Sequence, residues 1–131
     1  MCYYGGVALS ATRVVYYRDG GRALLQDWLD RLSVKPRDKC LARLELLERY
    51  GHGLPRPYAD YLTSGIYELR VQFGRMNYRM LYFFHGPGVV VVSHGFIKQQ
   101  AVVPMGEIRM AMEHRRRYGV NPRAHGCTTE G

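Results

Sequence analysis

The sequence predicts an α+β fold with a small, antiparallel-rich sheet. Three observations lead there. Two segments with leucines at helical spacing come early, at 22–32 and 37–51. Three strand-like segments joined by tight turns follow at 66–73, 77–85 and 89–96. A weaker amphipathic helix closes the pattern at 105–118. The chain has 131 residues, the size of one domain with one core. That single domain is expected to span 1–131, with its core at about 13–118 and loose ends at 1–12 and 119–131.

Each element has a local reason. "RVVYY" (13–17) is β-branched and aromatic, so it reads as a strand, and "RDGG" breaks it. "RALLQDWLDRL" (22–32) places Leu24, Leu25, Trp28, Leu29 and Leu32 at helical spacing. Pro36 suits the first turn of the next helix. That helix carries Leu41, Leu44, Leu47 and Tyr50 on one face and ends at Gly51. "HGLPRPYADYLTSG" (52–65) reads as a loop because of its prolines and glycines. "IYELRVQF" (66–73) alternates, with Tyr67, Leu69, Val71 and Phe73 on one face and Glu68, Arg70 and Gln72 on the other. "NYRMLYFFH" (77–85) is apolar on both faces apart from Asn77 and Arg79, and "VVVVSHGF" (89–96) is apolar throughout its first half, which suits a central, doubly covered strand. The helical hairpin can cover one face of this meander. The last helix points Ile108, Met112, Met105 and Ala111 inward and ends in the basic run "EHRRRYG".

The formal net charge is +8, which predicts attraction to phosphate from nucleic acid or from an anionic surface, without choosing between them. The three cysteines, Cys2, Cys40 and Cys127, are widely spaced and odd in number. They make neither a disulfide framework nor a CxxC zinc pair, which fits a reducing cytosol. No signal peptide is evident in "MCYYGGVALS", and no apolar run reaches the roughly 18 residues of a membrane helix. The expectation is a cytoplasmic protein that needs no metal or other cofactor and does not engage a membrane.

Candidate chemistry gathers at the strand ends. Arg70 and Arg79 flank a short turn, so an antiparallel pairing sets them opposite one another on one face. Two adjacent guanidinium groups call for an anion, either Glu68 or a phosphate, whose oxygens the planar fork grips in pairs. His94, Phe96 and Lys98 share parity and project to one side of an extended segment. Lys98 offers a charge for phosphate and Phe96 a stacking face. His94 offers a proton-transfer group near neutral pH, or a structural histidine at a strand end. No carboxylate neighbours these three in the sequence. As a set they resemble an RNA-cleaving site. RNA is cut by attack of its own 2′-OH on the adjacent phosphate, so a protein need only orient, stabilise charge and move protons. Arg115, Arg116 and Arg117 either track a nucleic-acid backbone or complement the helix C-terminal dipole. Neither an acidic cluster for a two-metal nuclease nor a glycine-rich phosphate loop is present.

The stretch 65–118 resembles the RelE/ParE toxin superfamily, and within it the HigB-type, phage-derived branch. The resemblance rests on several spaced motifs in order. "GIYELR" (65–70) matches G-x-[WY]-E-L-R, and "YRMLY" (78–82) matches Y-R-[IVM]-[LFY]-[YF]. "VVVVSHGFIK" (89–98) matches a valine or leucine run into H-G-F-x-K, and "PMGEIRMA" (104–111) matches P-x-x-E-I-x-x-A. The resemblance implies a RelE-like fold with a helical pair on a twisted sheet. It implies the toxin of a type II toxin–antitoxin pair, acting as a metal-independent endonuclease on mRNA at the ribosome. The implied partner is an antitoxin, usually a helix-turn-helix protein. The family's charged functional positions fall on Arg70, Arg79 and Lys98. Gln99 stands where the family usually has a second lysine, at the edge of the implied RNA-binding surface. The superfamily also contains gyrase-inhibiting members that cleave no RNA, and the exchange at Gln99 leaves room for an inactive module that only binds antitoxin or RNA.

Overall fold

The computed structural model describes residues 12–127. Its first strand, β1 (Arg13–Asp19), is the β-branched and aromatic run. Gly20 and Gly21 both have positive φ (59° and 89°), which suits the two-residue turn that folds β2 (Arg22–Ala23) back on β1. The helix predicted from 22 therefore starts at 24: α1 spans Leu24–Arg31, and α2 spans Val34–Tyr50. A single 3₁₀ turn (Gly51–Gly53) leads on to β3 (Ala59–Thr63), β4 (Ile66–Phe73), β5 (Met76–His85) and β6 (Val89–Lys98). The chain ends with α3 (Met105–Val120), α4 (Pro122–His125) and β7 (Gly126–Cys127).

The sheet is mixed, in the order β2-β1-β6-β5-β4-β3, with β7 also on β1. β1 runs parallel to β6, and the other pairings are antiparallel. One face carries α1 and α2 over Leu69, Val71, Tyr78, Met80, Tyr82, Val90 and Val92. The other carries α3, whose Ala111 and Tyr118 pack with Val15, Tyr17, Leu81, Phe83 and Val91. This α+β arrangement is compatible with a RelE-like fold. Gly95 lies against Trp28, where a Cβ would come within 2.2 Å of the indole ring. The missing side chain is what lets α1 sit so close to the sheet.

Several expectations need correction. Residues 59–63 are strand, not loop, because their backbone pairs with the outer edge of β4. The tail is not loose from 119. Asn121 caps α4 through its side chain, which accepts from the Ala124 N–H, and β7 then pairs with the open edge of β1. The expected loose start lies, apart from Thr12, outside the described residues, as do Cys2 and 128–131. In α2 the inward positions are Pro36, Cys40, Leu44 and Leu47, a spacing that leaves Leu41 and Tyr50 exposed. α3 seats Ile108, Ala111, His114 and Tyr118, so Met105 and Met112 face outward.

Candidate functional site

The register of β4, β5 and β6 builds three cross-strand rows on the face shared with α3. Glu68, Leu81 and His94 form one, Arg70, Arg79 and Phe96 the next, and Gln72, Asn77 and Lys98 the third. Neighbours within a row are about 5 Å apart and successive rows about 7 Å apart. The expected apposition of Arg70 and Arg79 is present. A bulge at Ser93 shifts the register of β6 between Leu81 and Tyr82. Beyond it, His94, Phe96 and Lys98 alternate onto this face.

One carboxylate serves two guanidinium groups. Arg79 is buried, and its Nε donates to Glu68 Oε1 at 3.0 Å while NH1 donates to the Tyr78 carbonyl at 3.1 Å. Burial lowers its pKa and the Glu68 charge opposes that shift. Arg70 Nε is 3.9 Å from Glu68 Oε2, and its side chain is 36% exposed. Glu68 is thus spent mainly on Arg79, and the Arg70 fork keeps most of its donors for something else. It opens on a concavity of about 270 Å³ lined by Arg43, Tyr58, Arg70, Gln72, Asn77 and Arg79.

Arg43 and Tyr58 were not legible as site residues. Arg43 lies in a helix whose charges read as a solvated face, and Tyr58 in an apparent loop. Beyond β3, the edge of β4 is open. The Arg70 carbonyl accepts from Arg43 NH1 and the Gln72 carbonyl from Lys39 Nζ at 3.2 Å. Arg43 also stacks 4.9 Å over the Tyr58 ring. Cations from α2 therefore gather beside Arg70.

His94 is neither free nor without a carboxylate. It is buried, its Nε2 lies 2.9 Å from Glu107 Oε1, and its Nδ1 lies 2.8 Å from Ser93 Oγ. Ser93 Oγ in turn lies 2.7 Å from His114 Nδ1. With Glu107 ionised and both rings neutral, one proton arrangement satisfies every contact. His114 Nδ1–H donates to Ser93, the Ser93 hydroxyl donates to His94 Nδ1, and His94 Nε2–H donates to Glu107. Burial lowers the His94 pKa and Glu107 opposes this. Ser93 is fully buried, so this chain is not a nucleophilic triad. Its outer end is Glu107, whose side chain is 30% exposed. Glu107 is the member of this chain that reaches the surface, with His94 orienting it. In the sequence Glu107 is nine residues past Lys98, and only the return of α3 brings it to His94.

The other expected residues separate. Phe96 is half-buried, packs against the α3-side core and tilts at 30° to the His94 ring, 5.9 Å away. Lys98 lies opposite Asn77 at the end of β6, with Gln99 exposed beyond it. Arg115, Arg116 and Arg117 sit at the far end of α3, about 14 Å along the helix from Glu107. Arg115 donates to the Ser64 carbonyl, and Glu113 bridges Arg116 and Arg117, which hold its carboxyl down at about 2. Arg117 also pairs with Asp19. The structure does not join this cluster to Arg70 and Arg79.

Among the described residues, no group of three His, Cys, Asp or Glu side chains converges to hold a metal ion. The Cys40 thiol is buried and pushed up to about 11, so it is unreactive. Among the described residues no helix is long and apolar enough to cross a membrane. Residues 27–116 match the protein family described as Phage derived protein Gp49-like (DUF891). No curated protein matches the chain.

Proposed function

Because the chain belongs to the phage-derived, toxin-like Gp49-like family, we propose that it is the toxin of a type II toxin–antitoxin pair and cleaves mRNA on the translating ribosome. The observation that carries this reading is the apposition of Arg70 and Arg79 over the single carboxylate of Glu68, with the Arg70 fork open to a concavity. That geometry suits a phosphodiester, which accepts paired donors and supplies the missing negative charge.

The chemistry needs no cofactor in this reading. The 2′-oxygen of one nucleotide attacks the adjacent phosphorus, the bond to the 5′-oxygen breaks, and the products are a 2′,3′-cyclic phosphate and a 5′-hydroxyl end. Arg70 and Arg79 stabilise the added charge on the phosphate, and Lys98 supplies further charge or a proton to the leaving oxygen. In this reading Glu107, held by His94, accepts the 2′-hydroxyl proton. The partner that silences this surface is an antitoxin of the helix-turn-helix kind.

Mapping mRNA 5′ ends before and after induction tests the reading. New 5′-hydroxyl ends within translated frames, formed equally in a chelator-treated ribosome assay, are the expected result. A DNA-damage response with no new mRNA ends would instead assign the chain to gyrase inhibition. Neither effect, with unimpaired growth, would leave only a binding module.

A further inference from the structure

Across the sheet edge from the Arg70 concavity, on the α1/α2 side of β4 and β5, lies a second one of about 190 Å³. The turn 56–60 separates them: Pro57 and Tyr58 line the first, Arg56 and Asp60 the second. The second is walled by aromatic rings. His52 stacks on Phe84 at 3.5 Å and 16°, and Tyr67 lies near-parallel to Tyr82 at 5.3 Å and 17°. Tyr61, 53% exposed, stands edge-on to Tyr67 at the rim. The volume is below that of a drug-sized site and suits one flat ring system.

Two polar groups stand at the rim. Asp60 accepts from the Tyr61 N–H at 2.9 Å and pairs with Arg56 at 3.0 Å, which holds its carboxyl below the usual range and keeps it an acceptor. The Arg56 guanidinium is 75% exposed, so it can turn toward a ligand while Asp60 meets another donor. Flat walls, one acceptor and one mobile donor are the groups that read a base: stacking for the ring, a carboxylate for its N–H edge.

We infer that this pocket holds an unpaired nucleobase of the RNA strand whose phosphate rests on Arg70 and Arg79. The inference builds on the proposed function and adds a specificity site to it. Along β4, Tyr67 and Arg70 are three residues apart, about 10 Å, but project to opposite faces, so the strand that joins the two sites passes around the sheet edge at the turn 56–60. The carboxylate sets the preference. Guanine presents two neighbouring donors, its N1–H and its amino group, to Asp60. Uracil presents one N–H flanked by carbonyls that repel the carboxylate.

The test titrates the full chain with the four nucleoside 5′-monophosphates, inorganic phosphate and arginine methyl ester, followed by ring-proton NMR. Expected are saturable shifts of the Tyr61, Tyr67 and Phe84 rings, strongest with GMP and weakest with UMP. Asp60→Asn weakens GMP binding about tenfold or more and leaves the other nucleotides nearly unchanged. The same shifts from phosphate alone, equal binding of all four nucleotides, or shifts from the arginine ester in place of the nucleotides would overturn the inference, the last assigning the pocket to a protein partner. Ring shifts in a chain that makes no mRNA ends would keep the pocket and discard the cleavage reading. Cleavage with no ring shifts and with the same bases around the cuts in Asp60→Asn would do the reverse.

Discussion

Glu68 and Arg79 lie diagonally across β4 and β5, 3.0 Å apart, and both are almost wholly buried, at 7% and 4% exposure. Neither charge is stable there alone, since each has lost most of its water and the other is its nearest opposite charge. The pair fixes the Arg79 fork at one end of the sheet face. It follows that Arg79→Ala damages the fold before it tests any chemistry. Expected is a loss of about 3–5 kcal/mol and a urea midpoint lower by more than about 1 M. Replacing both partners, Glu68→Gln with Arg79→Met, recovers most of that loss. Equal midpoints for the single and double variants would show that the pair is not coupled.

Arg70 separates activity from stability. Its side chain is a third exposed and its contact with Glu68 is long, at 3.9 Å. Arg70→Ala should change stability by no more than about 0.5 kcal/mol while abolishing growth arrest on expression. Lys98→Ala, at the half-buried end of β6, should behave alike. Thermal melts and growth curves of the same variants check this. Full toxicity in both would remove the two residues from the site.

Much of this site was legible because it is local. Alternation in 66–73 and a short turn are enough to oppose Arg70 and Arg79, and parity alone aligns His94, Phe96 and Lys98. What was hidden depends on chain return. Glu107 reaches His94 only through the loop and helix after β6, and Ser93 reaches His114 across 21 residues. β3 was masked by the prolines and glycines that flank it, and with it the Tyr58 wall and the Asp60 pocket. Arg43 looked like an ordinary charge on a solvated helix face until the open edge of β4 gave its guanidinium a carbonyl. Sequence patterns report faces and turns, whereas partners brought together by tertiary return leave no local trace.

Gly95 makes a packing test with a built-in reporter. A Cβ there would meet the Trp28 ring at 2.2 Å, and Trp28 is the single tryptophan of the chain. Gly95→Ala should cost about 1–3 kcal/mol through overpacking and shift the tryptophan emission as α1 is pushed off the sheet. An unchanged emission maximum with an unchanged melt would mean that α1 is not held as closely as described.

Gln99 is exposed just beyond Lys98, past the strand end that the third row places beside Asn77 and Gln72. Gln99→Lys adds one cation there. If RNA phosphate lies along this edge, binding of a short single-stranded RNA should tighten at low salt. The log–log salt slope should steepen by about 0.7, one phosphate contact on a single strand. An unchanged slope would place the backbone elsewhere.

The buried histidine chain makes acid stability the last test. His114 is held neutral, its pKa lowered to about 4 by burial and by its neighbour His94, with Arg117 acting in the same direction and Asp19 and Glu113 opposing. An unfolded histidine titrates near 6.5, so between those values the unfolded chain binds the extra proton and the folded one does not. Stability is therefore complete above about pH 6.5 and falls as the pH drops toward 4, by on the order of 3 kcal/mol for this one group. Self-repulsion of a chain with net charge +8 adds to acid sensitivity, so a plain pH series is not decisive. His114→Gln separates the two causes. Its amide can still donate to Ser93 but takes up no proton, so the drop in urea midpoint between pH 7 and pH 4.5 should shrink markedly. The same drop in both chains would assign the acid sensitivity to overall charge rather than to the Ser93-linked histidines.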